Sequence, residues 1–161
     1  MRDEDAFNAW LSSQLGKLKP SVLGRKVAEK YHIGVPDFYL IKGGQIAFVE
    51  SKIMRVRPAG KHKVLNRPFT GPQLTFLSEA ELAGAKCYGL VALDWARSMV
   101  VIPQSAIPTT GNWKGAEWIA QPACVRRFGF DEVPRMVAHL FGINIPAPDQ
   151  VITESWEVAE S

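Results

Sequence analysis

Two apolar runs, residues 35–41 and 46–49, flank Gly43-Gly44. That pattern predicts a β-hairpin closed by a two-residue primed turn. With this loop Lys42 faces Gln45 and paired positions sum to 87, so Asp37 falls opposite Glu50. Alternation along the strand then puts Lys52 on the face of Glu50, in a patch flanked by Val35, Ile46 and Phe48. Upstream, Phe7, Trp10, Leu11, Leu15 and Leu18 recur at helical spacing and predict an amphipathic helix over residues 3–18. Between Lys19 and Ile33 the pattern supports two readings. Val27, Glu29, Tyr31 and Ile33 alternate as a strand does, whereas residues 25–31 also suit a short helix.

Downstream, Thr70 and Gln73 have capping-box spacing and open a helix that runs to about Ala83 and stops at Gly84, with Leu74, Leu77 and Leu82 as core residues. Residues 86–93 and 99–102 read as strands joined by a turn at 94–98. Residues 104–130 read as loop. Asp131 is placed to cap a helix ending at Gly142, and the tail from Thr153 is acidic. Together these elements predict an α/β domain, a mixed sheet packed between helices.

With 161 residues, 47% of them hydrophobic, the chain can bury one core and is expected to form a single domain. It divides into residues 1–103 and a C-terminal extension, 104–161. No apolar run approaches the roughly 20 residues of a membrane helix, and the acidic start (Asp3, Glu4, Asp5) shows no signal peptide. Cys87 and Cys124 lack metal-ligand spacing, so reduced thiols in a cytoplasm are the simplest expectation. His32, His62 and His139 have no spacing that suits a zinc site or a triad.

Charge is unevenly spread. Residues 1–75 hold 13 Lys/Arg against 6 Asp/Glu, a net +7, while residues 76–161 hold 6 against 10, a net −4. The basic half is the one an anionic backbone would contact. Directly after Lys52 come Arg55, Arg57, Lys61, His62, Lys63 and Arg67, with no acid among them and with Pro58, Gly60 and Pro68 interrupting. This is a loop or ribbon, either phosphate-binding or merely solvated. Arg25, Lys26 and Lys30 are weaker candidates of the same kind. Trp113 and Trp118 suit base stacking or, more commonly, plugs over an apolar sheet.

Two facing carboxylates make a hard-oxygen site of the kind Mg²⁺ accepts, with Mn²⁺ expected to substitute. A lysine beside them can hold a phosphate or act on the attacking water. The bland alternative is a surface hairpin in which Lys52 neutralises two acids.

Pro36-Asp37 followed by Glu50-Ser51-Lys52 resembles the PD-(D/E)XK nuclease motif with its hairpin intact. Gly34-Val35-Pro36-Asp37, Phe48-Val49-Glu50-Ser51-Lys52 and Gln73 look most like the VRR-NUC and Holliday-junction-resolvase branch. The resemblance covers about the first hundred residues. It implies a restriction-endonuclease-like core in αβββαβ order and metal-dependent hydrolysis of DNA, at branched, flapped or four-way-junction sites in repair, recombination or replication. It assigns catalysis to Asp37, Glu50, Lys52 and Gln73. Metal binding falls to Asp37, Glu50, Ser51 and Glu4, with Glu29 a weaker substitute for Glu4. Phosphate contacts fall to Arg55, Arg57, Lys61, Lys63 and Arg67. Glu4 has an ordinary alternative as an acid at the positive end of a helix, and Gln73 has one as a capping residue. One amide is not expected to serve both cap and site, and the site is preferred. A nucleic-acid-binding module that keeps the fold without cleaving is the competing class; a small-molecule hydrolase lacks any pocket motif. Paired cuts at a junction call for a homodimer, but no dimer surface is legible.

Overall fold

The computed structural model describes residues 3–27, 33–55, 64–65, 69–107, 113–114 and 125–143. The hairpin forms in the anticipated register. β1 (Leu23–Lys26) precedes it, and β2 (Phe38–Lys42) pairs antiparallel with β3 (Gln45–Met54), Lys42 opposite Gln45 and Phe38 opposite Val49. Gly43 and Gly44 both take positive φ, 57° and 77°, as a type I′ turn demands of its two central residues. Of the segment that supported two readings, Leu23–Lys26 is strand, antiparallel to β2, and residues 28–32 lie outside the described residues.

A two-residue β4 (Val64–Leu65) follows, then β5 (Lys86–Leu93) and β6 (Ser98–Pro103). β7 (Trp113–Lys114) pairs with β4 in a small second sheet, and β8 (Arg126–Gly129) joins the main one. The main sheet has the order β1-β2-β3-β5-β6-β8. Only β3 and β5 run parallel in it. A parallel pair needs a crossover, and α2 (Gly71–Leu82) lies on it. With α1 (Glu4–Gly16) ahead of the sheet and α3 (Val133–Leu140) behind it, the fold is α/β. Its first part has the αβββαβ order once the short β4 is set aside.

β5 is almost wholly apolar because both its faces are covered. Leu90 and Ala92 join Phe7, Leu11 and Leu15 of α1 and Met136, Val137 and Leu140 of α3 in one core layer. Cys87, Val91 and Leu93 join Leu74 and Leu77 of α2 in the other. The same division splits β3. Ala47, Val49 and Ile53 belong to the α1 layer, and Phe48 and Met54 to the α2 layer. By alternation Ser51 faces α1, while Glu50 and Lys52 face α2.

Three expectations change. Residues 125–129 are not loop: Val125 is buried and β8 adds a strand to β6. Asp131 does not cap α3; a short 3₁₀ turn, Phe130–Glu132, intervenes, and Glu132 accepts from the Gly129 N–H instead. Leu82 is 87% exposed rather than core. Five residues beyond Leu77, it sits about 140° round the helix from the buried stripe.

Leu77→Ala should therefore destabilise the protein by about 2–5 kcal/mol, while Leu82→Ala stays within about 0.5 kcal/mol of the parent. Urea unfolding of the two variants measures the difference. Equal losses would mean that the α2 stripe is misassigned.

Candidate functional site

β3 is ten residues long and β2 only five. Beyond Val49 the strand loses its antiparallel neighbour and keeps β5 alone, from Glu50↔Gly89 to Met54↔Leu93. The open edge would strand backbone donors. Asp37, immediately before β2, fills the gap: its Oδ2 accepts from the Ser51 N–H at 2.9 Å and lies 2.8 Å from the Ser51 hydroxyl. That hydroxyl also contacts the side-chain amide of Asn8, a buried residue of α1. A strand residue turns its N–H and C=O toward the same neighbour, so the Ser51 carbonyl faces this open edge too.

On the other face, Glu50 is only 2% exposed. Its Oε1 accepts from Gln73 Nε2 at 2.5 Å and lies 3.1 Å from Lys52 Nζ. Lys52 Nζ is also 3.8 Å from Glu4 Oε1. α1 packs on the Ser51 side of the sheet, so Glu4 meets Lys52 where the missing length of β2 leaves the edge open. Gly89, the β5 partner of Glu50, has no side chain where a Cβ would stand 2.6 Å from Phe69 Cζ. The buried Phe69 ring thus closes over the position beside Glu50.

Gln73 does both jobs that seemed exclusive. Its Oε1 accepts from Thr70 N–H at 2.9 Å, and its own N–H donates to Thr70 Oγ1 at 3.4 Å, completing the capping box. Its Nε2 is then free for Glu50. An amide has an acceptor end and a donor end, and the cap uses the acceptor while the site uses the donor. Capping fixes the side chain that holds Glu50.

Burial, and then the nearby Asp37 carboxylate, push the Glu50 carboxyl up to about 8, against the pull of Lys52. Glu4 is raised as well, by burial first, with Lys52 opposing. Glu50 Oε2 is buried without a hydrogen-bond partner. A buried carboxylate oxygen without a partner, on an acid that feels a second carboxylate, suits a hard divalent cation, which needs only one or two protein carboxylates plus waters. Among the described residues no three His, Cys, Asp or Glu side chains gather as a metal cage. The fit is therefore to a two-carboxylate site, Asp37 with Glu50. The Ser51 hydroxyl does not join it, being turned to Asn8 and Asp37.

Of the residues assigned from sequence, Asp37, Glu50, Lys52, Gln73 and Glu4 are brought together. Arg55 is exposed just past the end of β3. Glu29, Lys30, His32, Arg57, Lys61, His62, Lys63, Arg67, Trp118, Cys124 and the acidic tail lie outside the described residues, as does the side chain of Trp113. His139 is a core histidine, its pKa lowered by burial and Arg126, against the Phe128 and Tyr88 rings. Sequence reasoning passed over Asn8, Phe69 and Gly89. Asn8 did leave a signal, as a polar residue next to Phe7 and one turn past Glu4 on the stripe of an amphipathic helix.

No family model matches the chain, and no curated protein matches it. Among solved structures it is similar to Archaeoglobus fulgidus Hjc, a Holliday junction resolvase from an archaeal hyperthermophile. The two are 17% identical, with a TM-score of 0.48, over 81% of this chain and 92% of that one. No described helix is long and apolar enough to cross a membrane.

A carboxyl whose folded pKa exceeds its unfolded value stabilises the fold fully below the unfolded value and loses that contribution as pH rises through the folded one. For Glu50 the window runs from 4.5 to about 8. Metal-free protein should lose stability across it, at up to about 1.4 kcal/mol per pH unit from this group. Glu50→Gln should remove that part of the slope. Urea titrations across the window measure it, and identical slopes in parent and variant would return Glu50 to water.

Proposed function

We propose that this chain is a metal-dependent endonuclease of the PD-(D/E)XK type, from the VRR-NUC and resolvase-like branch, that hydrolyses phosphodiester bonds in branched or otherwise structured DNA. The observation that carries the reading is Glu50. A carboxylate taken out of water, with one oxygen engaged by Gln73 and Lys52 and the other without a partner, in the field of the Asp37 carboxylate, is costly unless a cation completes it. A module that only binds nucleic acid gains nothing from such a group near anionic phosphate.

Asp37 and Glu50 would hold Mg²⁺ or Mn²⁺, with the Ser51 carbonyl at the same edge and Glu4 beside it. The ion would supply charge stabilisation at a phosphoryl oxygen and a more acidic water. The chain's own residues do the rest. Lys52 Nζ lies 3.1 Å from Glu50 Oε1; an ammonium has no lone pair for a metal, so its work is to hold the phosphate or act on the attacking water. Gln73 fixes the Glu50 carboxylate. Arg55, with Arg57, Lys61, Lys63 and Arg67, would neutralise backbone phosphates without reading sequence.

The test is cleavage of linear, flapped and four-way-junction DNA with and without Mg²⁺ or Mn²⁺. Asp37→Ala and Glu50→Ala should abolish divalent-dependent cutting while DNA binding persists. Lys52→Ala should bind DNA and metal as the parent does yet cut about 10²–10⁴-fold more slowly in single turnover. Lys52→Arg should not rescue it, because the planar, longer guanidinium fork cannot take the place of a compact ammonium beside Glu50. Unchanged cleavage by both carboxylate variants would overturn the site.

Replacing Arg55, Arg57, Lys61 and Lys63 with Ser should flatten the salt dependence of DNA affinity, by about 0.9 in the log–log slope for each lost contact with duplex. A constant slope would show that the loop is only solvated.

A further inference from the structure

Asn8 is polar, 2% exposed, and embedded between the core residues Phe7 and Leu11. Burying an amide is unfavourable unless its hydrogen bonds are met. Its contact is the hydroxyl of Ser51, itself fully buried. Ser51 in turn holds one oxygen of Asp37 twice, through its N–H at 2.9 Å and its hydroxyl at 2.8 Å. A hydroxyl has one proton to donate and two lone pairs. Asp37 as a carboxylate can only accept, and a bond to a charged acceptor is the stronger one. The Ser51 proton therefore goes to Asp37 Oδ2. The structure turns the Asn8 Oδ1 end to Ser51 Oγ; with the Ser51 proton on Asp37, the amide takes its flipped orientation, oxygen and nitrogen ends being interchangeable in shape, and donates from Nδ2 to Ser51 Oγ.

We propose that Asn8 and Ser51 form a positioning chain for Asp37, running from α1 through the hydroxyl on β3 to the carboxylate at the open edge. The two side chains act through Asp37, both being turned to one another and to its carboxylate. Two donors on Oδ2 fix the carboxylate's rotation and leave Oδ1 for the site. The chain also couples the two α1 residues at one spacing of a helical turn: Glu4 meets Lys52 and Asn8 meets Ser51, so the seating of α1 sets both faces of the edge at once. Its consequence for metal binding rests on the metal-dependent reading above.

The test uses full-length, DNA-free protein and Mn²⁺ alone. Ser51→Ala should raise the Mn²⁺ dissociation constant about 10–100-fold, the usual effect of losing a group that orients a ligand. Asn8→Ala should weaken Mn²⁺ binding too, but add nothing in the Ser51→Ala background, because it acts through that hydroxyl. Ser51→Cys, close in size and a weak donor, replaces Ser51→Ala if the latter does not fold. An unchanged dissociation constant, or losses that add in the double variant, would overturn the chain. If the parent binds no Mn²⁺ the metal-dependent reading fails, and amide hydrogen exchange decides the positioning by itself. Exchange at the Ser51 amide, which Asp37 caps, should quicken about tenfold or more in Asn8→Ala. Unchanged exchange there would remove the chain.

Discussion

Everything at this site follows from one unbalanced burial. Glu50 is put out of water on a strand that α2 and Phe69 cover, and only one of its oxygens is met by donors. Without a cation the carboxyl resolves the conflict by keeping its proton to about 8. Lys52 softens the conflict and Asp37 sharpens it. A structural ion pair would bring a matched cation to each acid, but here Lys52 is shared between Glu50 and Glu4 while Asp37 spends one oxygen on Ser51. A carboxyl left half-satisfied in this way is the feature on which the metal-dependent reading rests.

The sheet makes room for this by unequal strand lengths. Because β3 continues for five residues past the start of β2, its far half is solid on the β5 side and open on the other. Elements from both layers converge on the opening: α1 with Glu4 and Asn8, α2 with Gln73. Each is anchored by the packing of its own helix. Gln73 is held by its cap to Thr70, and Asn8 by neighbours in the core. The site is thus preorganised by secondary structure and not by loops, which favours a fixed carboxylate geometry.

Much of this was legible in the residues, for local reasons. The Gly43-Gly44 turn set the hairpin register, and register set which face Glu50 and Lys52 share, because the side-chain period of a strand is two. The α2 cap was readable from Thr70 and Gln73, and β5 and β6 as strands from their apolar runs. Leu82 was misread because a leucine at the end of a helix looks like core until its angle is counted from Leu77. β8 was missed because its run of two arginines, one glycine and one phenylalanine carries no alternation. Its place is fixed by the free edge of β6.

The sequence by itself determined the hairpin and its register, the helices and strands of residues 71–103, the shared face of Glu50 and Lys52, and the basic character of the N-terminal half. These depend on turn chemistry and periodicity over a few residues. Tertiary structure alone decided that Glu50 is buried and half-satisfied, that one amide serves cap and site together, and that Asn8 reaches Asp37 through Ser51. Those facts join residues 43, 23 and 14 positions apart. Their distances depend on how helices seat on a sheet, and no local pattern records that seating.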